Sequence, residues 1–178
     1  MRKYALVGFI LFSILLASCG SRDAREEVLV HPKNEVTVTQ SDFTYRLVTA
    51  KPEYSSGESV PIYAELTYNG DEESITINHS ASPFYFPIQE LTTGYDIEYA
   101  MNDVGASTVL IKGKPMRGTF SIRGGGYSES DPKAYKDFID NFIKNGYARG
   151  HYAVNGFADF SLADQRIRIE AQIDFLVD

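Results

Sequence analysis

From Val36 onward, apolar and polar positions alternate with a period of two, the pattern of strands that bury one face and wet the other. Val60, Ile62, Ala64, Leu66 and Tyr68 alternate with Pro61, Tyr63, Glu65 and Thr67. Asn69-Gly70-Asp71 then supplies turn residues and Ile75 and Ile77 begin the next alternation, so this pair reads as a hairpin or meander corner. After a Thr93-Gly94 turn, Tyr95, Ile97, Tyr99 and Met101 alternate with Asp96, Glu98, Ala100 and Asn102. Val109 and Ile111 precede a turn from Gly113 to Gly118, and Phe120 and Ile122 follow it. Tyr152, Val154, Gly156 and Ala158 alternate with His151, Ala153, Asn155 and Phe157. The clearest strand comes last. Ile167, Ile169, Ala171, Ile173, Phe175 and Val177 share one face, and Arg166, Arg168, Glu170, Gln172 and Asp174 share the other.

One segment changes period. Tyr135, Phe138, Ile139, Phe142 and Ile143 fall at i, i+3, i+4, i+7 and i+8, which predicts an amphipathic helix over about 132–145. Asp131 is placed as its N-cap, Pro132 at its first position and Gly146 at its C-terminal left-handed position. The apolar stripe is expected to face inward and close the sandwich, because each large side chain buried is worth about 1.5 to 3 kcal/mol. A docking face is the competing reading.

Short strands separated by turns, without a βαβ rhythm, predict a mainly β protein: an antiparallel β-sandwich over 36–178 with one inserted helix. The 12 Tyr and 11 Phe suit a pleated surface. The segment from Tyr147 to Ala158 and the strand after it resemble the last two strands of an immunoglobulin-like domain. On that resemblance Tyr147 or Tyr152 would be the tyrosine near the start of the penultimate strand. The run from Phe43 to Phe86 is also similar, at the level of its strands, to the BsuPI type of bacterial proteinase-inhibitor domain. That likeness carries over no inhibitory residue.

The N-terminus reads as an address. Arg2 and Lys3 precede an apolar stretch from Ala5 to Leu16, and small residues lead to the single cysteine, Cys19. The stretch falls short of the about 20 apolar residues that span a hydrocarbon core. Leu16-Ala17-Ser18-Cys19 resembles the lipobox of bacterial lipoproteins. The resemblance implies a signal peptide over 1–18 and a diacylglyceryl group on the Cys19 thiol, with acyl chains of the palmitate kind as the membrane anchor. Residues 19–35 then form the lipidated cysteine and a polar tether. The implied location is the extracytoplasmic face of a cell membrane. The BsuPI likeness favours a Gram-positive host, while Gly20 after the cysteine leaves outer-membrane sorting open.

Charge and cysteine content narrow the chemistry. Arg2 and Lys3 are the only charges in the first 18 residues, so the whole chain's net charge of −7 becomes −9 without them. Nucleic acid is therefore an unsuited partner. With Cys19 lipidated, no thiol remains for a disulfide, a metal or a nucleophile. His31, His79 and His151 are scattered without metal-ligand spacing, and no serine sits in Gly-x-Ser-x-Gly. Arg123-Gly124-Gly125-Gly126-Tyr127 lacks the lysine of a phosphate loop, and Asp71-Glu72-Glu73 lacks the spaced oxygens of a calcium loop. No catalytic residue, metal or cofactor is expected.

Two surfaces remain as binding candidates. Pro83-Phe84-Tyr85-Phe86-Pro87 sets three aromatics between prolines, so Phe84 and Phe86 point one way and Tyr85 the other. Lys112, Lys114 and Arg117 form the one basic cluster of an acidic protein, suited to a lipid headgroup or an anionic polymer. The function these features suggest is a membrane-anchored binding module for a protein or peptide partner. Inhibition of extracytoplasmic proteases is the alternative.

Overall fold

A computed structural model describes residues 31–98, 100–121 and 126–178. The expected signal peptide, Cys19 and the expected tether as far as Val30 lie outside those residues, as do Tyr99, Ile122 and the run from Arg123 to Gly125.

Two sheets pack face to face. The first holds β1 (Glu35–Gln40), β2 (Phe43–Thr49), β4 (Ile62–Tyr68) and β10 (Met116–Thr119), in that order and all antiparallel. The second is built on the long hairpin of β11 (Gly150–Leu162) and β12 (Gln165–Val177), paired over thirteen positions from Gly150↔Val177 to Leu162↔Gln165. Along the other side of β11 run β5 (Ser74–His79), β6 (Phe84–Tyr85) and β7 (Ile88–Glu90). The strand β9 (Ala106–Ile111) lies outside β5, and β8 (Tyr95–Ile97) lies outside β7. One short strand, β3 (Glu53–Tyr54), pairs with the end of β12, and this pair is parallel rather than antiparallel.

The period of two accounts for the core. Phe43, Tyr45 and Leu47 of β2, and Ile62, Ala64, Leu66 and Tyr68 of β4, are all buried. They face Ile167, Ile169, Ile173, Phe175 and Val177 of β12, with Ala171 half-buried among them. The two sheets form a β-sandwich, and after β2 the chain leaves the first sheet and adds β3 in parallel to the last strand. At the start of the penultimate strand the Tyr152 hydroxyl donates to the carbonyl oxygen of Ala148 over 2.9 Å. Of the two tyrosines expected near the start of that strand, Tyr152 is the one whose hydroxyl returns to the backbone.

Close approach of the sheets rests on small residues. A Cβ on Gly156 would lie 2.8 Å from both methyl carbons of Leu47 and 2.9 Å from the Tyr45 hydroxyl, so only glycine fits there. Phe43 meets Phe160 edge to face at 4.9 Å between ring centres. Tyr147 meets Tyr152 at 5.1 Å and Phe175 at 5.2 Å, again edge to face.

The helix α1 (Lys133–Asn145) attaches to this aromatic cluster through Phe142, 4.9 Å from Tyr147. Its start differs from expectation. Pro132, not Asp131, is the N-cap, and its carbonyl accepts the Lys136 N–H. The Asp131 carboxylate instead accepts the Ser128 N–H at 2.6 Å, which closes the preceding turn. At the other end glycine is needed, but not in the expected left-handed helical form: Gly146 has φ +78 and ψ −157, an extended positive-φ conformation, and donates its N–H to the Phe142 carbonyl. Ile139 and Phe142 are buried, and Tyr135 and Phe138 are half-buried against Tyr95. Ile143 departs from the inward stripe and is 57% exposed.

Two connections also differ. Asn69-Gly70-Asp71 does not close a hairpin: β4 belongs to the first sheet and β5 to the second, so the chain crosses between them. The expected turn from Gly113 to Gly118 is shorter: residues 112–115 cross back from β9 to β10, and Met116 to Gly118 already pair with β4. On β9 the buried residue is Leu110, while Val109 and Ile111 are exposed. Alternation fixes which residues share a face, but a short strand with three consecutive apolar residues leaves open which face is buried.

Candidate functional site

The outward face of the second sheet carries an aromatic stack. Because Gly156 and Ala158 point into the core, Phe157 between them points out. It pairs across the sheet with Tyr85, and the two rings stack at 4.6 Å with an interplanar angle of 8°. From β12, the Arg168 guanidinium carbon lies 3.7 Å from the Phe157 ring centre. Phe157 is thus covered on one face by a ring and on the other by a planar cation, a contact worth about 0.5 to 1 kcal/mol at exposed sites. Arg168 is steadied by Glu170, whose carboxylate accepts its Nε–H at 2.6 Å. The Tyr85 hydroxyl lies 2.6 Å from the Ser80 hydroxyl.

Two clefts of about 360 Å³ each flank this stack. One is lined by Pro87, Asn155, Phe157, Arg168, Glu170 and Gln172. The other is lined by residues including His79, Ser80, Tyr85, Asp103, Asp159 and Arg166. Arg166 grips Asp159 through two hydrogen bonds and holds its carboxyl below the usual aspartate range. His79 sits 2.6 Å from the Ser80 carbonyl through Nδ1 and 2.8 Å from the Thr108 hydroxyl through Nε2. A carbonyl oxygen only accepts, so Nδ1 carries the hydrogen of that bond. Both ring nitrogens are used. The site offers a ring stack, fixed ion pairs and hydroxyls, which suits recognition of a surface.

Of the three sequence candidates at this edge, Tyr85 alone reaches the outer face. Phe84 and Phe86 are 1% and 4% exposed and belong to the core. The basic cluster is likewise divided. Arg117 donates to Glu65 at 2.6 Å and lies over the Tyr63 ring at 4.1 Å. Arg46 donates to the same Glu65 at 2.9 Å and to Glu35 at 2.7 Å, so Glu35, Arg46, Glu65 and Arg117 form a row of charges across the first sheet. Burial pushes the Glu65 carboxyl up, but the two arginines outweigh it and hold it below the usual range. Lys112 and Lys114 are exposed and have no ion-pair partner among the described residues.

Phe157 and Arg168 were missed in the sequence because both fall in the polar phase of their strands. The available signal was Phe157 itself, a large ring out of phase with the core positions of its strand.

Other titratable groups serve the fold. Burial pushes the Glu90 carboxyl up, but the Thr93 hydroxyl and the Thr92 and Thr93 backbone N–H groups outweigh this and bring it to about 2. Asp174 accepts from the Lys33 N–H at 2.7 Å and lies 2.6 Å from His151 Nε2. Among the described residues there is no group of three or more His, Cys, Asp or Glu placed to hold a metal ion, and no helix is long and apolar enough to cross a membrane. The sequence matches no protein-family model and no curated protein.

Proposed function

We propose that this protein is a lipid-anchored, extracytoplasmic lipoprotein whose sandwich is a non-enzymatic module that binds a protein or peptide through the Tyr85, Phe157 and Arg168 face. The carrying observation is the stack itself. An aromatic pair with an arginine cover stands on the solvent side of the sheet, where alternation otherwise places polar residues, and rings and arginine are the side chains that dominate binding energy at protein interfaces. The anchor reading rests on Leu16-Ala17-Ser18-Cys19. A tether would leave such a face free to meet partners at the membrane surface.

The test is quantitative capture from detergent-solubilised membranes with the full chain as bait, beside Phe157→Ala, Tyr85→Ala and a Lys112→Glu/Lys114→Glu variant. Loss of one captured protein with either ring variant, retained from low to high salt with the lysine variant, supports the reading. Capture that fades as the Debye length shrinks from about 10 Å at 0.1 M salt to 3 Å at 1 M, and that needs the lysines, transfers the contact to the basic turn. A captured peptidase that loses activity would make the module an inhibitor. For the anchor, Cys19→Ala should abolish labelling by a fatty-acid analogue, and undiminished label would refute it.

A further inference from the structure

The outer edge of β9 is a row of unused backbone hydrogen bonds. β9 is the last strand beyond β5, and no strand pairs with its other side among the described residues. The Lys112 N–H donates to Glu73, in line with β5, so in an antiparallel ladder Ser107, Val109 and Ile111 direct their N–H and C=O groups away from β5. Lys114 N–H uses the Ile111 carbonyl; no backbone partner is found for Val109 among the described residues. The segment Ala106–Ile111 carries no charge and no proline, and it exposes Val109 by 60% and Ile111 by 46%. Such an edge is a template for a further strand.

Charge selects the occupant. Asp103 stands before this edge and Lys112 and Lys114 stand after it, all exposed and without ion pairs among the described residues. A second copy laid antiparallel brings the acidic end of each edge to the basic end of the other, twice, by symmetry. A parallel copy would align like charges. We propose that two copies of this chain join through β9, continuing one sheet across both molecules. A two-fold axis normal to the sheet keeps outward faces on one side and so pairs residues of like parity. Centred on Val109, it sets Val109 opposite Val109 and Ser107 opposite Ile111. The two Val109 side chains then face each other, with Ile111 of each copy diagonally beside Val109 of the other.

The experiment is disulfide trapping of the full chain in host membranes under mild oxidant. Val109→Cys should form a covalent homodimer several-fold more than Thr76→Cys, an equally outward position one strand further in, and more than the unmodified chain. Asp103→Lys should weaken trapping at position 109. Adding Lys112→Asp and Lys114→Asp to that variant should restore it by reversing both ends. Equal trapping at 76 and 109, no response to Asp103→Lys, or no rescue by the triple reversal would overturn the proposal. A product joining Val109→Cys only to a different protein would also overturn it, by giving the edge to a foreign strand.

Discussion

Tyr152 and Tyr147 sit 5.1 Å apart, edge to face, in the same buried cluster, yet only one has a use for its hydroxyl. Tyr152 donates to Ala148, whereas the Tyr147 hydroxyl is buried with no hydrogen-bond partner among the described residues.

The two phenols should therefore respond oppositely to loss of oxygen. Tyr152→Phe removes a made bond and should cost about 0.5 to 1.5 kcal/mol. Tyr147→Phe removes a buried polar atom that gains nothing and should be neutral or stabilising. Thermal melts of the two variants decide it, and equal destabilisation would contradict the assignment.

Gly156 tests the spacing of the sheets. Gly156→Ala places a methyl against Leu47 and Tyr45, both fully buried, and should cost about 1 to 3 kcal/mol as overpacking does. Denaturant midpoints that fall with an unchanged slope would show the loss to be one of stability alone.

Glu90 should give the fold an acid limb. Its folded pKa of about 2 lies below the ordinary 4.5, so its contribution is complete above about pH 4.5 and is lost as pH falls toward 2. The difference corresponds to about 3 kcal/mol by linkage. Stability measured across that window should fall less steeply in Glu90→Gln than in the native chain.

The helix should be unequal along its stripe. Phe142→Ala removes a buried ring and should cost about 3 to 5 kcal/mol. Ile143→Ala, one residue on and largely exposed, should stay within about 0.5 kcal/mol. Urea titration of both variants measures the contrast.

The hairpin between β11 and β12 holds Ala163 at φ +50, a left-handed conformation that costs a residue with a Cβ about 1 to 2 kcal/mol. Ala163→Gly relieves it at the expense of unfolded-chain entropy, so a net gain of up to about 1 kcal/mol is expected in the melting curve.

Much of this fold was legible in the sequence where one face had to be dry. The long alternation from Ile167 to Val177 placed every inward residue of β12 correctly, since a one-residue slip would have moved all of them to solvent. The helix was legible from its spacing, and its cap was not. Asp131 is a good N-cap residue by type, but its carboxylate serves the Ser128 turn and the helix starts one residue later. Which sheet a strand joins was also illegible, because Asn69-Gly70-Asp71 reverses the chain equally well within a sheet or between two. The stack was half legible: Tyr85 followed from its neighbours Phe84 and Phe86, but its partners come from strands more than seventy residues away. No local pattern encodes that pairing.

The bond between Lys33 and Asp174 spans 141 positions of chain. β1, β2 and β4 can pair as soon as they are synthesised, but their apolar faces find β12 only after β11 and β12 have been made. Folding of the sandwich therefore waits for β12, and during that wait the earliest strands depend on whatever shields them from aggregation.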